Sequence, residues 1–326
     1  DDFDVRRWDV TVGAGAFALS AGVGEVGYGY ARSGGIVLSP ADALPRVELQ
    51  TTRPVRLPWV LGYLGDVSAH TFVSLMDEER HPTEPWLWGM RIAARPHERF
   101  TIALHRASIF GGEGRPATVG NLARMLVGIV KSDFENQVVS GEVRWRLPTD
   151  SLLPVTAYLE WGADDGAGAI SEVPGRVAGL FLPALPGVPQ VGIGGEYTRF
   201  GEACCGHGPW YFNGTFRGNW ARGDQPLGHP LGGEGWEGAG YAQAELMGSR
   251  LRLDGRFFVR ERSESSLAEL GGGNLFSPTR TGRSTGGWVE AAFRLFSRGD
   301  VRAGWRVEDG DGWREQGVHV EAVVLF

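Results

Sequence analysis

The chain has 326 residues, of which 51 are glycine, and its formal net charge is −7. Hydrophobic residues make up 42% and charged residues 22%, which excludes a disordered chain, and the glycines follow no collagen triplet. The net negative charge comes without a basic run, so we expect no nucleic-acid partner. No run of eighteen apolar residues occurs, which excludes a membrane-spanning helix, whereas a β-barrel is compatible with the sequence because its apolar residues alternate with polar ones.

Period-two alternation of apolar and polar residues, in runs of about ten, predicts a chain built of strands. In the run 250–262, Leu251, Phe257 and Val259 alternate with arginines and with Asp254. The pattern predicts about sixteen strands, separated by turn-rich pieces. In chain order they are 8–19, 26–38, 46–55, 67–76, 86–94, 100–108, 139–147, 155–162, 176–182, 191–199, 211–217, 236–247, 250–262, 288–296, 301–307 and 318–326.

The predicted strands favour an outer-membrane barrel over a soluble sandwich or propeller. Strands of about nine to eleven residues match a tilted crossing of the hydrocarbon core. Arginines and glutamates on their polar faces suit a watery lumen, and tryptophans near strand ends suit an interfacial girdle. Those tryptophans are Trp59, Trp86, Trp88, Trp161, Trp288 and Trp313. We expect an all-β fold, a transmembrane antiparallel β-barrel of about 16–18 strands, forming a single domain over residues 1–326.

One segment departs from the strand pattern. Between Thr118 and Asp133, apolar residues recur at helical spacing, and Thr118 is a suitable N-cap. An amphipathic helix cannot form part of a barrel wall, so we expect residues 118–133 to be a helical plug or a cap at one barrel mouth. The alternative is a surface helix of a soluble α+β protein.

Motifs of known chemistry are weak in this chain. Gly22–Gly27 fits the dinucleotide pattern but no helix is predicted after it. Gly282–Gly286 fits a hydrolase nucleophile elbow but is followed by a predicted strand, so we expect a glycine-rich loop. Asp309 and Asp311 predict a hairpin turn. We therefore expect no catalytic residues, no metal site and no cofactor.

The two cysteines and the first four residues indicate little about function. Cys204 and Cys205 are adjacent, so they form either a strained disulfide or a plain pair of thiols, and no metal-ligand spacing surrounds them. The acidic start, Asp1–Asp4, is not a signal peptide, so we expect a mature or trimmed product.

Carboxylates suggest two features of the barrel. Asp164 and Asp165 follow a predicted strand, where they would bind a cation or sugar hydroxyls, or solvate a loop. Glutamates share the polar faces with arginines, which predicts a narrow lumen filled with salt bridges. These residues are Glu142, Glu160 and Glu196 with Arg144, Arg146 and Arg199.

From about Val26 to Trp220 a series of short motifs follows a recognisable order. The most specific part is Arg106–Pro116, which reads Arg-Ala-Ser-Ile-Phe-Gly-Gly-Glu-Gly-Arg-Pro, followed by Glu135-Asn136-Gln137. The other parts are Arg46–Pro58, Leu61–Gly65, Trp88–Ile92 with Arg95-Pro96, Arg146–Pro148, Tyr158 with Asp164-Asp165, and Glu196-Tyr197. This order of motifs resembles the Wzi family of outer-membrane capsule-assembly proteins.

The resemblance implies a closed barrel of about eighteen strands that is occluded by helical material. It also implies a non-enzymatic role in the bacterial outer membrane, in which surface-exposed loops bind capsular polysaccharide and help attach it. The resemblance implies the capsular polysaccharide as a partner. A barrel in the outer membrane also contacts lipid or lipopolysaccharide, and a partner at the periplasmic mouth, such as an envelope or capsule-export assembly, stays open.

Residues suited to sugar binding on this reading are Trp210, Tyr211, Arg217, Trp220, Arg222, Asp164 and Asp165. The family motif, at Arg106, Gly111, Gly112, Glu113 and Arg115 with Asn136 and Gln137, is expected to organise the plug. Two alternatives stay open. A porin or solute transporter requires an open lumen, and an outer-membrane hydrolase requires a converging acid, base and nucleophile.

Overall fold

The computed structural model describes residues 8–40, 43–76, 80–128, 134–164, 173–201, 210–217, 220–222, 225–263, 281–296 and 299–324. Within them lie a 3₁₀ helix at Trp59–Leu64, an α-helix, α1, at Val119–Leu126, and eighteen strands. The strands are β1 (Trp8–Ala14), β2 (Phe17–Gly24), β3 (Leu44–Thr51), β4 (Val55–Arg56), β5 (Asp66–Leu75), β6 (Trp86–His97), β7 (Phe100–Phe110), β8 (Glu135–Arg146), β9 (Thr156–Asp164), β10 (Gly175–Leu182), β11 (Val191–Phe200), β12 (Ala221–Arg222), β13 (Gln225–Pro226), β14 (Gly235–Leu246), β15 (Leu251–Arg262), β16 (Gly282–Phe296), β17 (Gly299–Gly310) and β18 (Trp313–Val324).

Sixteen of these strands form one antiparallel sheet whose order follows the chain. The order runs from β1 to β3, from β5 to β11 and from β14 to β18, with β4 beside β5, and β1 and β18 end it within the described residues. Most connections at one rim, such as 15–16 and 98–99, are tight turns, whereas at the other rim the connections from β2 to β3 and from β11 to β14 are long. We call these the short-turn rim and the long-loop rim.

The sheet curls around residues 25–40. Tyr28 of this segment contacts His70 on β5, their ring centroids being 5.7 Å apart. Four residues further on, the Arg32 guanidinium lies 5.0 Å from the ring centroid of Tyr241 on β14. One short segment thus touches strands that are far apart in the sheet order, which requires the sheet to close around it as a barrel.

The two faces of the wall differ as the alternation predicts. On β15, Phe257 is 60% exposed on the outer face, whereas Phe258, next to it, is 5% exposed on the inner face. Exposed apolar residues cover the outside of the barrel, as contact with lipid requires. They include Val12, Leu19, Leu49, Ile92, Leu104, Leu180, Val289 and Val320.

Three sequence predictions of strands are corrected. Segments 26–38 and 211–217 alternate in sequence but are not strands, because their N–H groups bond to side chains instead of to a neighbouring strand. The predicted strand 8–19 is a hairpin made of β1 and the start of β2. Gly282–Gly286, expected as a loop, begins β16.

The predicted interfacial girdle of tryptophans is corrected in part. Trp288 pairs with Arg256, an inward residue of β15, so it faces the lumen. Trp313 pairs with Gly310, which lies two residues after the inward Glu308 and therefore on the same face, so Trp313 faces the lumen too. The hairpin turn at Asp309–Asp311 is confirmed between β17 and β18. Cys204 and Cys205 lie outside the described residues.

Candidate functional site

Two segments of the chain lie inside the barrel, in its long-loop half. The first plug segment is residues 25–40, and the second plug segment is residues 210–234, described except for 218–219 and 223–224. Their apolar side chains pack with wall residues such as Phe72 and Phe200 in one buried cluster. Ile36, Leu38, Trp210, Tyr211 and Trp220 are each less than 2% exposed. The main hydrophobic core of this protein therefore lies in the lumen.

Three buried glutamates of the wall hold the backbone of the first plug segment. Glu142 on β8, Glu160 on β9 and Glu196 on β11 are at most 6% exposed. A buried backbone N–H needs an acceptor, and carboxylate oxygens supply it. The hydrogen bonds run from Tyr30 N to Glu142 Oε2 (2.6 Å), from Arg32 N to Glu196 Oε1 (2.6 Å), from Ser33 N to Glu196 Oε2 (2.7 Å) and from Ile36 N to Glu160 Oε1 (3.2 Å).

The predicted salt bridges of these glutamates with arginines are therefore wrong. The Arg144 guanidinium lies 4.7 Å from the Tyr30 ring centroid, and Arg146 Nε donates to Asp150 Oδ1 at 2.9 Å. Sequence alternation placed the glutamates correctly on the inner face, but it carries no signal for a partner that is a distant backbone amide.

The first plug segment folds tightly on itself. Tyr28 N–H donates to the Leu38 carbonyl oxygen at 2.9 Å. A Cβ atom on Gly35 would lie 1.9 Å from the Tyr28 carbonyl oxygen, so only glycine fits where the two arms of the segment approach each other.

The second plug segment is bonded to the first. Trp220 Nε1 donates to the Val37 carbonyl oxygen at 2.8 Å, and the Tyr211 hydroxyl donates to the Ile36 carbonyl oxygen at 2.7 Å. The Tyr211 amide donates to Asp164 Oδ2, at the end of β9, at 2.5 Å. These bonds join both plug segments and the wall into one polar and apolar network.

His229 lies fully buried in the second plug segment as a neutral ring. Its Nδ1 accepts the Leu231 N–H at 3.1 Å, which places the ring proton on Nε2, 3.2 Å from Thr198 Oγ1. Burial, and after it the nearby charge of Arg256, holds the pKa of His229 well below its ordinary value. Burial also raises the pKa of the Tyr211 phenol well above its usual range. Both groups thus stay uncharged at neutral pH.

The predicted exposure of three sugar-binding aromatics is wrong. Trp210, Tyr211 and Trp220 are each no more than 1% exposed and contact protein on all sides. The sequence predicts Trp210 and Trp220 in loops that face solvent, and Tyr211 at the start of the strand 211–217. It does not show that this whole segment folds inward, where the same rings fill the lumen.

The other predicted sugar-binding residues lie around the plug. Asp164 is buried as the acceptor for Tyr211, so it does not offer that oxygen to a ligand. Arg222 Nη1 donates to the Ala43 carbonyl oxygen at 2.6 Å, next to the first plug segment. Arg217 is exposed at the long-loop rim, and Asp165 lies outside the described residues.

The predicted helix is confirmed as α1. Thr118 caps its N-terminus, with Oγ1 accepting the Asn121 N–H at 3.3 Å. Met125 is 3% exposed and anchors the helix, whereas residues 129–133 lie outside the described residues. Met125 packs with Trp88, Phe110 and Phe134.

The structure shows neither predicted place of this helix, which is not a plug in the lumen and not a cap over one barrel mouth. Leu87 and Ile109 belong to the buried cluster inside the barrel. Their neighbours in sequence, Trp88 and Phe110, must therefore face outward, because successive strand side chains point to opposite faces. Helix α1 packs on Trp88 and Phe110 and so covers the outside of the wall. Among the described residues, the irregular plug segments fill the lumen and α1 lies outside it.

Part of the family motif lies under α1 on the same outer face. Arg106 Nε donates to Gln137 Oε1 at 2.8 Å, and its guanidinium lies 3.7 Å from Glu135 Oε2 and 5.6 Å from the Trp88 ring centroid. Its Nη1 reaches the Leu126 carbonyl oxygen of α1 at 3.5 Å. Arg106 and Gln137 therefore hold α1, the helix predicted to be a plug or a cap, on the outside of the wall.

The remaining motif residues shape the chain after β7. Gly111 and Gly112 have φ values of 69° and 97°, which favour glycine, where the chain leaves the sheet. Glu113 accepts the Thr83 hydroxyl at 2.8 Å. The Arg115 guanidinium lies 5.7 Å from the ring centroid of Phe216 in the second plug segment. Asn136 is fully buried on the inner face. Arg115 thus contacts the second plug segment and not α1.

Within the described residues, no helix is both long and apolar enough to cross a membrane. In the same part of the chain, no group of three or more histidine, cysteine or acidic side chains is arranged to hold a metal ion.

An antiparallel barrel with an apolar outer face and a lumen filled by inward loops belongs to the class of plugged outer-membrane β-barrels. The fold is similar to that of Wzi from Escherichia coli, described as an outer membrane protein involved in group 1 capsule assembly and as a carbohydrate-binding β-barrel. That structure has a TM-score of 0.75 and 16% identity, covering 96% of this chain and 68% of the other. OprD from Pseudomonas aeruginosa has a TM-score of 0.51 and 11% identity, covering 95% and 75%.

The family model for capsule assembly protein Wzi matches residues 2–311. The chain therefore belongs to the Wzi family, as the motif order predicts. No curated protein matches the sequence significantly.

Proposed function

We propose that the protein resides in the bacterial outer membrane, binds exported capsular polysaccharide at the cell surface and helps attach or organise it as a capsule. The observation that carries this proposal is the pair of plug segments in the lumen, the first tethered by Glu142, Glu160 and Glu196 and the second bonded to the first. A barrel filled in this way offers a rigid binding platform in place of a solute channel. Membership of the Wzi family supports a role in capsule assembly.

Orientation in the membrane follows from the two rims. Outer-membrane barrels place short turns in the periplasm and long loops outside the cell, so the plug lies toward the exterior. Among the described residues at the long-loop rim, Arg217 is exposed and Arg115 is partly exposed. Guanidinium groups bind sugar carboxylates and hydroxyls well. Arg217 and Arg222 stay candidate polysaccharide contacts, and the buried tryptophans anchor the loop that carries them.

The proposed role is non-enzymatic. Ser140, His105 and Glu160 lie together in the lumen and are the residue types of a hydrolase triad. The Ser140 hydroxyl donates to Glu160 Oε1 at 2.6 Å, so its proton does not point at the histidine as a nucleophile requires. All three residues are at most 2% exposed, and Tyr28 stacks on the His105 ring. The cluster supports a structural role.

We also propose contacts with lipid and with a partner assembly. Trp59 and Tyr63, in the 3₁₀ helix at the short-turn rim, are 95% and 86% exposed. Aromatic side chains of this kind favour the membrane interface. The periplasmic mouth is the surface that an envelope or capsule-export assembly would contact.

A deletion strain tests the proposed function. We expect total polymer to stay unchanged while polymer moves from the cell surface into the medium, and wild-type protein to restore attachment. Arg217→Gln is expected to restore attachment less well than Arg124→Gln, a matched change on the exposed face of α1. An unchanged amount of cell-bound capsule in the deletion strain would contradict the proposal.

A further inference from the structure

A polar cavity of about 460 Å³ lies between the first plug segment and the wall formed by β3, β5, β6 and β8. We call it the lumen cavity. Gln50 and Arg144 lie near the short-turn ends of β3 and β8, so the cavity extends from the plug toward that rim. Its volume is in the range of about 300–1,000 Å³ that is usual for small-molecule sites.

The acidic groups of the lumen cavity are already engaged. Glu48 accepts from Arg46 Nε at 2.6 Å and lies 3.3 Å from His70 Nε2. Glu142 accepts the Tyr30 amide of the plug. The third carboxylate of the lining, Glu25, stands at the start of the first plug segment and has a partner of its own.

Two guanidinium groups of the cavity keep donors without an acceptor. Arg91, on the inner face of β6, forms no hydrogen bond or ion pair with another described residue. The Nη1 atom of Arg46 is buried without a hydrogen-bond partner. Leaving such donors unsatisfied is costly, and a planar guanidinium matches a carboxylate in shape and charge. The third guanidinium, of Arg144, is held by Tyr30 and by Thr101 Oγ1, the latter at 3.3 Å.

The remaining polar groups of the cavity suit a sugar. Tyr28 and His70 form a linked pair, with the Tyr28 hydroxyl 3.0 Å from His70 Nδ1, and the amide of Gln50 adds a donor and an acceptor. A site with hydroxyl, amide and imidazole groups around free guanidinium donors fits a hydroxyl-rich ligand that carries a carboxylate.

We propose that the lumen cavity binds a carboxylate-bearing saccharide, a uronate, with its carboxylate at Arg91 and Arg46. This inference rests on the proposed polysaccharide-binding function and adds a second site on the opposite side of the plug from the long-loop rim. The uronate reaches it from the short-turn rim, which faces the periplasm. The lumen cavity thus takes an acidic end or short segment of a polymer that reaches the periplasmic side of the plug.

The test is calorimetric titration of the refolded full-length protein in detergent with tri-galacturonate, using neutral maltotriose as the matched sugar. We expect binding of tri-galacturonate and much weaker binding of maltotriose. Arg91→Gln is expected to weaken tri-galacturonate binding by about tenfold or more, since a bidentate charged contact is lost. Arg91→Lys, which keeps the charge but not the fork, should fall between the two, and Arg124→Gln, outside the barrel, should match wild type.

Three results would overturn the lumen site: no tri-galacturonate binding by wild type, equal affinity for maltotriose, or equal affinity in Arg91→Gln. Heat-dependent mobility on gels shows whether each variant forms the barrel. If the titration rejects the lumen site but the deletion strain still releases its capsule, the proposed function is unaffected. If the deletion strain keeps its capsule, the proposed function fails whatever the titration shows.

Discussion

Replacing Glu196 tests whether wall carboxylates hold the plug in place. Its two oxygens accept the amides of Arg32 and Ser33, and it also accepts the Tyr158 hydroxyl. In Glu196→Ala the Ser33 amide loses its acceptor in a buried site and the Arg32 amide in a partly buried one. An unsatisfied buried donor costs about 1–3 kcal/mol, so the tether weakens by at least about that amount.

The assay is hydrogen–deuterium exchange of peptides that cover the first plug segment, in folded protein. A loss of about 2 kcal/mol corresponds to about 30-fold faster exchange through local opening. Glu196→Gln keeps one carbonyl oxygen as acceptor and is expected to give a smaller increase. Glu290→Ala removes a wall carboxylate that faces His319 and is the matched control. Unchanged exchange at residues 32–33 in Glu196→Ala would refute this account of the tether.

Three further predictions concern packing and protonation. Trp220→Ala should lower the free energy of unfolding by about 3–5 kcal/mol, measured by denaturant titration, whereas exposed Trp59→Ala should change it by less than about 0.5 kcal/mol. Because the pKa of His229 is lower in the folded protein than its ordinary value of 6.5, the stability that neutral His229 contributes is complete above pH 6.5 and is lost as pH falls. The melting temperature should therefore drop more from pH 7.5 to pH 5 in wild type than in His229→Asn. Met125→Ala should speed tryptic cleavage of α1, whereas Leu126→Ala, at a half-exposed position, should not. Equal cleavage rates in the two variants would contradict the anchoring role of Met125.

The wall could be predicted from sequence because each strand carries its own signal. Alternation such as that of Arg256, Phe257 and Phe258 places successive residues on opposite faces, and the structure confirms it. The helix at Val119–Leu126 was likewise marked by its spacing and by Thr118. Local patterns of this kind do not depend on the rest of the chain.

The plug could not be predicted in the same way. Residues 26–38 alternate like a strand, since their side chains also face a buried interior, but their partners are Glu142, Glu160 and Glu196, more than one hundred residues away. Nothing local distinguishes an amide that bonds to a distant carboxylate from one that bonds to a neighbouring strand. The side of the wall on which α1 lies is likewise decided by its contact with Trp88.

Single-channel recording of the refolded protein in a planar bilayer tests the plugged platform most directly. The two tethered plug segments predict a silent membrane from correctly folded wild-type protein, and conductance steps in Glu196→Ala when its plug opens. Stable open-channel currents from the wild type would contradict the occluded lumen and favour a transporter.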